Sequence, residues 1–274
     1  MQRRNNGLFF NSAIMIKPGS NMAKGFSTVN YGIPDYNLAL TQHQEYVNIL
    51  KSLGINVYLF ESSEDPDGHF VEDMAGVFTK RDGKLAGIIG NPAKEPRKKE
   101  VGKAVKIIRD RVTEIITPDF SRTSATLEFG DVIMFGKNVI IGVSTRTNAA
   151  GASLLEGILK KIDTELSVIK INVANVLHAD TGLSPLNETT LLHNPALILP
   201  KDFPFEVIDV PMSEGYAAAV LPVNKNTVIM PKGFPETSKI VSKYFDNVIK
   251  IDTSEFMKMD GSLRCLKISW YDES

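Results

Sequence analysis

One cysteine, Cys265, stands in 274 residues, so no internal disulfide can form and the fold needs no oxidising compartment. Charge of neither sign is in excess: 31 Lys and Arg face 32 Asp and Glu, for a formal net charge of −1. That balance offers no field for nucleic acid. Long apolar runs are missing, and no stretch reaches the length of a membrane span. The apolar start from Leu8 to Ile16 is broken by Asn11 and Ser12 and lacks a small-residue cleavage site, so it reads as the first strand, not as a secretory signal. Histidine is scarce, at positions 43, 69, 178 and 193, without the short Cys/His spacing of a zinc site. These absences point to a cytoplasmic protein with no metal and no cofactor. With 43% hydrophobic and 23% charged residues the composition is that of a chain that buries a large core unaided.

What is present is a repeat. "VFTKRDGKLAGIIG" holds two apolar runs around Asp82-Gly83, a hairpin signal. A helical pattern follows with Val101, Val105 and Ile108 on one face, then a strand from Val112 to Ile116. The order recurs in "DVIMFGKNVIIGV", turning at Gly136-Lys137-Asn138, with a helix carrying Leu154, Leu155, Ile158, Leu159 and Ile162 and a strand from Leu166 to Ile171. It recurs in "YAAAVLPVNKNTVIMP", a helix with Ile240, Val241, Tyr244 and Phe245, and Val248 to Ile251. A shorter copy runs from Thr189 to Val210 with its helix reduced to "KDFPF". A fifth is split between the ends: Leu266 to Ser269 pairs with Leu8 to Ile16, the helix holds Leu40, Val47 and Leu50 and stops at Gly54, and Val57 to Phe60 closes it. Five hairpin–helix–strand units predict an α/β fold with radial, pseudo-fivefold ββαβ repetition. No linker interrupts them, so residues 1–274 are expected to form one domain.

Each unit follows an irregular polar junction: "DPDGHFVED", "SRTSATLEFGD", "NVLHADTGLSPLN", "PMSEGYA" and "SEFMKMDGSLRC". Units set around an axis bring equivalent junctions to one end of it. That gathers Asp67, Glu72, Asp73, Glu128, Asp131, His178, Asp180, Asp260 and Cys265. A thiol with an imidazole reads as covalent catalysis. Carboxylates around a thiol raise its pKa and blunt it, unless the substrate is itself a cation. A planar guanidinium matches paired carboxylates, favours a nearby thiolate, and presents an electrophilic carbon.

At these residues the chain resembles the dimethylarginine dimethylaminohydrolases, within the guanidino-group-modifying enzymes that include arginine deiminases and amidinotransferases. The resemblance runs through "GIPDYNLALTQHQEYV", "FVEDMAGV", "EPRKKEV", "GDVIMFG", "VSTRTNAAGA", "VLHADTGLS", "YAAAVLPVN", "VIMPKGFPET" and "IDTSEFMKMDGSLRC". It implies a five-bladed β/α propeller of pentein type. It implies that Cys265 attacks the guanidinium carbon, that His178 protonates the departing amine and then activates water, and that Glu128 orients His178 and holds the guanidinium. Glu72 and Asp73 would frame the guanidinium, Arg146 would pair with the substrate carboxylate, and Arg97 would be a secondary substrate or lid contact. Asp67 would lie at the amino-acid end, Asp260 beside the nucleophile, and Phe26 in a loop that closes over the site. The ligand would be a small guanidino compound, with no nucleic acid or membrane partner; the resemblance also allows a homodimer.

Three positions depart from the family pattern. Phe129 stands where relatives usually carry a small residue, His69 where the residue is often small or apolar, and "HADTG" replaces the usual His-Leu-Lys, putting Asp180 in place of a lysine. An aspartate there is the pattern of enzymes that take unsubstituted guanidinium groups. The expected reaction is therefore hydrolysis of an N-methylated arginine or of arginine, giving citrulline and an amine or ammonia. Amidino transfer to a second amine is the alternative; a non-enzymatic, ribosome-binding propeller protein would lack the Cys, His and carboxylate set. Asp131 is expected to hold a hairpin, His43 to lie on the exposed side of its helix, and His193 to sit in a hairpin turn.

Overall fold

The structure, a computed structural model, describes residues 7–62, 64–121 and 124–272. In chain order its elements are β1 (Ser12–Ile16), α1 (Tyr36–Ser52), β2 (Asn56–Phe60), β3 (Ala75–Thr79), β4 (Leu85–Ile89), α2 (Val101–Ile108), β5 (Glu114–Ile116), β6 (Val132–Phe135) and β7 (Asn138–Val143). They continue with α3 (Ala149–Ile162), β8 (Ser167–Asn172), α4 (Ala179–Gly182), β9 (Leu183–Pro185), β10 (Thr190–His193) and β11 (Glu206–Asp209). The last are β12 (Leu221–Asn224), β13 (Thr227–Pro231), α5 (Pro235–Val241), β14 (Asn247–Ile251), α6 (Ser254–Met257) and β15 (Lys267–Trp270).

The described strands form five three-stranded sheets of one design: β15-β1-β2, β3-β4-β5, β6-β7-β8, β9-β10-β11 and β12-β13-β14. In each, the middle strand pairs antiparallel with the first and parallel with the third. Middle strands are the most apolar and most buried, as "SAIMI", "LAGII" and "TVIMP" show, because both of their faces are covered. Third strands start exposed and are then largely half-buried, as in "NVYLF" and "EII". The split unit has the expected form: Ser12 stands opposite Trp270 and Met15 opposite Lys267, across more than 250 residues of chain.

Local chemistry sets the connections. Asp35 caps α1 by accepting the Leu38 N–H at 2.9 Å, and Asn148 caps α3 by accepting the Gly151 N–H at 2.9 Å. The hairpin turns use Gly83 and Gly136 at φ +87° and +60°, conformations that a side chain disfavours.

Several local expectations are corrected. The fourth unit begins at Leu183, not Thr189, and no helix joins β10 to β11; Lys201 and Asp202 form only a turn. His193 ends β10, where its ring bonds the Asp209 carboxylate and the Leu197 carbonyl, both at 2.7 Å. It faces the parallel neighbour β11 instead of a hairpin turn. Tyr244 and Phe245 lie past the end of α5, though Phe245 is buried. On α1 the buried stripe is Ala39, His43, Tyr46, Val47 and Leu50, with Leu40 only half-buried. His43 therefore faces inward, its ring 6.5 Å from Phe256: three residues after Leu40 and four before Val47, it lies on the apolar stripe itself.

His43 and His69 are buried neutral bases. Burial holds the His43 pKa down to about 4, with Lys17 adding to the effect, and the His69 pKa down to about 3, with His43 and Arg97 adding to it. Unfolded histidines take up protons below about 6.5 while these do not, so stability falls as pH drops from about 6.5 toward 4. Each histidine should cost about 2 kcal/mol of stability by pH 5. His69→Leu, at a ring whose two nitrogens have no hydrogen-bond partner, should flatten the decline of Tm between pH 7 and 5. An unchanged slope would mean that His69 titrates normally in the folded protein.

Candidate active site

The five polar junctions each precede the first strand of a sheet, so each delivers its side chains from an equivalent position. Val71–Met74, a 3-10 turn, leads into β3 and carries Glu72 and Asp73. Glu128 precedes the Phe129–Asp131 turn into β6. His178 precedes α4, which carries Asp180 into β9, and Asp260 to Cys265 lead into β15. Cys265, His178, Asp73, Asp67, Arg97, Arg146, Asp260 and Phe26 line one cleft, with Phe70, Leu177, Met259 and Gly261 between them. Glu128, Glu72 and Asp180 lie behind this wall.

His178 and Glu128 form the core of the cluster. Both are buried, at 2% and 0% exposure, and the imidazole Nε2 lies 2.9 Å from Glu128 Oε2. Burial alone would push the Glu128 carboxyl up, but the hydrogen bond and charge of His178, with Arg146 and Arg97, bring it down to about 2. Burial would likewise lower His178, but Asp73, Asp131 and the bonded Glu128 raise it to about 10. The ring is therefore an imidazolium. Its Nδ1 lies 3.8 Å from Asp73 Oδ1, too far for a hydrogen bond, which leaves that proton available to a third atom.

The neighbours explain the precision of this pair. Asp131 accepts the Ala179 N–H at 3.0 Å and the Ser144 hydroxyl at 2.6 Å, tying the His178 segment to β6. Thr181 Oγ1 donates to the His178 carbonyl at 2.7 Å. Gly130 is required by close approach: a Cβ there would sit 2.8 Å from the His178 ring and 2.9 Å from Asp73 Oδ1. Phe129, one residue earlier, turns into the core instead, against Phe78 and over Gly76, and does not line the cleft.

Arg97 is placed otherwise than a free substrate contact. It is buried and its guanidinium is used up: by Asp73 at 2.5 Å, by Glu100 at 2.9 Å, and by the carbonyls of Asp67 and Phe70. Burial works against its charge, and Asp73 and Glu100 overcome it. Arg146 keeps a looser partner, Glu128 at 3.6 Å, and so faces the cleft with donors to spare. Asp67 accepts the Phe26 N–H at 3.1 Å and Asp260 accepts the Thr28 N–H, so both carboxylates hold the loop that crosses the cleft. In this conformation only about 20 Å³ of the cleft is free.

Behind Cys265 lies a second group. Cys265, Glu72 and Asp180 each bring an atom within 4.8 Å of the others. Asp180 is fully buried beside Glu72, and among the described residues no donor reaches its oxygens with good hydrogen-bond geometry. Arg264 approaches from below, 3.5 Å from Asp180 and 3.8 Å from Glu72. Burial and the Glu72 charge push the Asp180 carboxyl well up, so it is held neutral beside Glu72. Burial, then Asp180, Asp73 and Glu72, push the Cys265 thiol well up, opposed by Ser262, whose N–H and hydroxyl both lie 3.3 Å from Sγ. Arg264 and Ser262 were missed in the sequence, although "SLRC" sets a cation directly before the thiol in an acidic junction.

Two triads have metal-ligand composition, Glu72–Asp180–Cys265 and Asp73–Glu128–His178. Neither suits a cation as it stands. His178 is protonated and bonded to Glu128, and the first triad has Arg264 against it and the buried Lys267 nearby.

A neutral thiol in this setting should alkylate slowly. The rate of Cys265 modification by iodoacetamide should climb steadily above pH 8.5 in the free protein, and a bound guanidinium ligand should move the rise to lower pH. A rate already at its plateau at pH 7 would show that the carboxylates do not hold the thiol protonated.

Comparison with known proteins gives consistent neighbours. The family described as N,N dimethylarginine dimethylhydrolase, eukaryotic, matches residues 34–189. The N(G),N(G)-dimethylarginine dimethylaminohydrolase of Pseudomonas aeruginosa is 35% identical over 263 residues, covering 94% of this chain and 99% of its own. A solved structure of the Pseudomonas aeruginosa enzyme, a cysteine-to-serine variant with citrulline, superposes with a TM-score of 0.86 at 31% identity, over 96% of this chain and 100% of that one. A histidine-to-glycine variant of a dimethylarginine dimethylaminohydrolase, solved as an adduct with S-methyl-L-thiocitrulline, matches with the same TM-score, identity and coverage. The architecture shared with these neighbours is a propeller-like α/β fold.

Proposed function

The chain belongs to the dimethylarginine dimethylaminohydrolase family, and from that premise we propose how its own residues carry out the reaction. The protein is a hydrolase of guanidino C–N bonds, converting dimethylarginine to citrulline and dimethylamine. The observation that carries the reading is a buried thiol, an imidazolium held by a carboxylate, and a cleft-facing arginine in one pocket.

The guanidinium enters among Asp73, Glu128, Glu72 and Asp180, and Arg146 takes the α-carboxylate. Asp67 and Asp260 hold the Phe26 loop over the amino-acid end. Arg97 acts through Asp73, fixing its carboxylate, and does not grip the substrate. The arriving positive charge offsets the carboxylates around Cys265, so the thiol releases its proton to solvent and the thiolate attacks the guanidinium carbon. His178 donates a proton to the departing amine, leaving a thiouronium on Cys265. The neutral imidazole then takes a proton from water and the hydroxide adds to the same carbon; the C–S bond breaks with its electron pair going to sulfur, and the new hydroxyl gives its proton to that sulfur, which releases citrulline and restores the thiol and the imidazolium.

The proposal extends to the whole molecule. The five sheets stand as five blades about one axis, the β15-β1-β2 blade being closed by both ends of the chain, and residues 1–274 form one domain. The protein works in the cytoplasm without a cofactor. Among the described residues no helix is long and apolar enough to cross a membrane. Every group used comes from one chain, so a homodimer, which the resemblance allows, would add nothing to the chemistry.

Cys265→Ser should lower citrulline formation from dimethylarginine by roughly a thousand-fold or more while the substrate still binds. Paired assays of citrulline and dimethylamine test this, and substantial turnover by the serine variant would remove the covalent step.

Specificity turns on Asp180. Its oxygens reach the space beside Sγ and accept N–H groups from an unsubstituted guanidinium nitrogen, whereas two methyl groups remove both donors. Arginine should therefore be hydrolysed at a measurable rate beside dimethylarginine. Asp180→Lys should lower the ratio of kcat/KM for arginine over dimethylarginine by about ten-fold. An unchanged ratio would mean that Asp180 serves only Arg264 and Glu72.

A further inference from the structure

The polar junctions enter β3, β6, β9, β12 and β15 at their starts, and the cleft lies there. Residues further along the same five strands, Val77, Thr79, Met134, Pro185, Pro222 and Ser269, line a second space of about 50 Å³ that shares no lining residue with the cleft. The charged side chains in its lining are Arg264 and Lys267, both cations and both at least nine-tenths buried. We propose that this chamber binds a small monovalent anion of chloride size between Arg264 and Lys267, and that the bound anion lowers the reactivity of Cys265 from behind.

Both cations have donors to spare. Among the described residues the Arg264 guanidinium makes no hydrogen bond: its carboxylate neighbours stand at 3.5 and 3.8 Å, and its buried Nε has no partner. Lys267 Nζ donates to Ser269 Oγ at 2.9 Å, which leaves its other N–H groups unspent. Ser269 accepts that bond and keeps its own proton to donate. Buried donors without acceptors are costly, and a buried ammonium without a counter-ion more so. Burial lowers the Lys267 pKa to about 8, with Glu72 opposing and Arg264 adding to the effect. An anion between the two cations removes both costs.

Size and charge select the ligand. The space holds one or two groups the size of a water, at about 30 Å³ each, so a halide fits. Two like charges refuse a cation. An adjoining space of about 80 Å³ has Glu72 in its wall beside Arg264, so an anion favours the first. Gly7 is exposed at the rim. The link to the sulfur is short. Arg264 precedes Cys265 in the chain and stands against Asp180 and Glu72, and the charge of Lys267 reaches the thiol. Both cations favour the thiolate. An anion on their far side cancels part of that help, so the thiol keeps its proton, and formation of the thiolate in turn loosens the anion.

The test uses the full-length protein near pH 7.5, with chloride exchanged for gluconate, which is too large for the chamber, at constant ionic strength. A crystal soaked in bromide should show an anomalous peak between Arg264 and Lys267. Chloride should slow modification of Cys265 by iodoacetamide several-fold. It should also raise Tm with the logarithm of its concentration, relative to the Tm of Lys267→Met, a variant that keeps the side-chain length without the charge. The same variant should lose the bromide peak and the slowing. If it does not fold, the bromide peak and the iodoacetamide rate of the unaltered protein decide. No bromide at that place would overturn the site. Bromide bound there with an unchanged iodoacetamide rate would overturn the link to Cys265. A full chloride effect in folded Lys267→Met would overturn the role of this pair of cations. None of these readouts depends on turnover, so they stand apart from the hydrolase reading.

Discussion

Glu128 has no contact with solvent, yet it carries a charge, and the rest of the site is arranged around that fact. A carboxylate in so dry a place survives only with a cation bonded to it, and His178 is that cation. The imidazolium in turn needs the charges of Asp73 and Asp131 to stay protonated while buried. Asp73 is anchored by Arg97, and Arg97 is balanced by Glu100. One chain of alternating charge thus runs from the cleft floor to Glu100, at the end of the Arg97 turn and the start of α2. Removing any member leaves its neighbour uncompensated, which typically costs about 3–5 kcal/mol in a buried pair.

The second group, behind Cys265, is balanced less completely. Two carboxylates and a thiol share a single nearby arginine, and none of its contacts is as short as a hydrogen bond. Its remaining acceptors are unpaired. The first group pairs each charge with an opposite one and keeps a single open oxygen, Asp73 Oδ1, while the second has spare capacity for positive charge beside the sulfur. A guanidinium is suited to that asymmetry, being a delocalised cation with several donors in one plane.

The order of elements was legible because each unit repeats a local pattern: a Gly-centred turn between apolar runs, a helical stripe, then a β-branched run. The pairing of Leu266–Ser269 with the N-terminal strand followed from that repetition, and the structure has it in register. Side-chain direction was less legible. His43 was misjudged by its polarity: its spacing, three residues after Leu40 and four before Val47, already set it on the buried stripe. His193 was misread because the hairpin of the fourth unit turns at residues 186–189, between β9 and β10, and His193 ends the strand after it. Arg97 was expected as a secondary substrate or lid contact; only tertiary structure brings Asp73 to it, alongside Glu100 of its own turn. Arg264 carried a local signal, its place beside the thiol, but its partners lie on other units.

The strand that follows Cys265 pairs with the first strand of the protein, Ser12 against Trp270. On the ribosome the second of these segments is made more than 250 residues after the first. The first strand and its helix must wait, with one edge unpaired, until the chain between them has emerged. The sulfur therefore reaches its carboxylates in the final stage of assembly, and a nascent chain carries no reactive centre while it is being made. The same arrangement ties chemical competence to completion of the most distant contact in the molecule, the kind that forms slowly because so much chain must first be gathered.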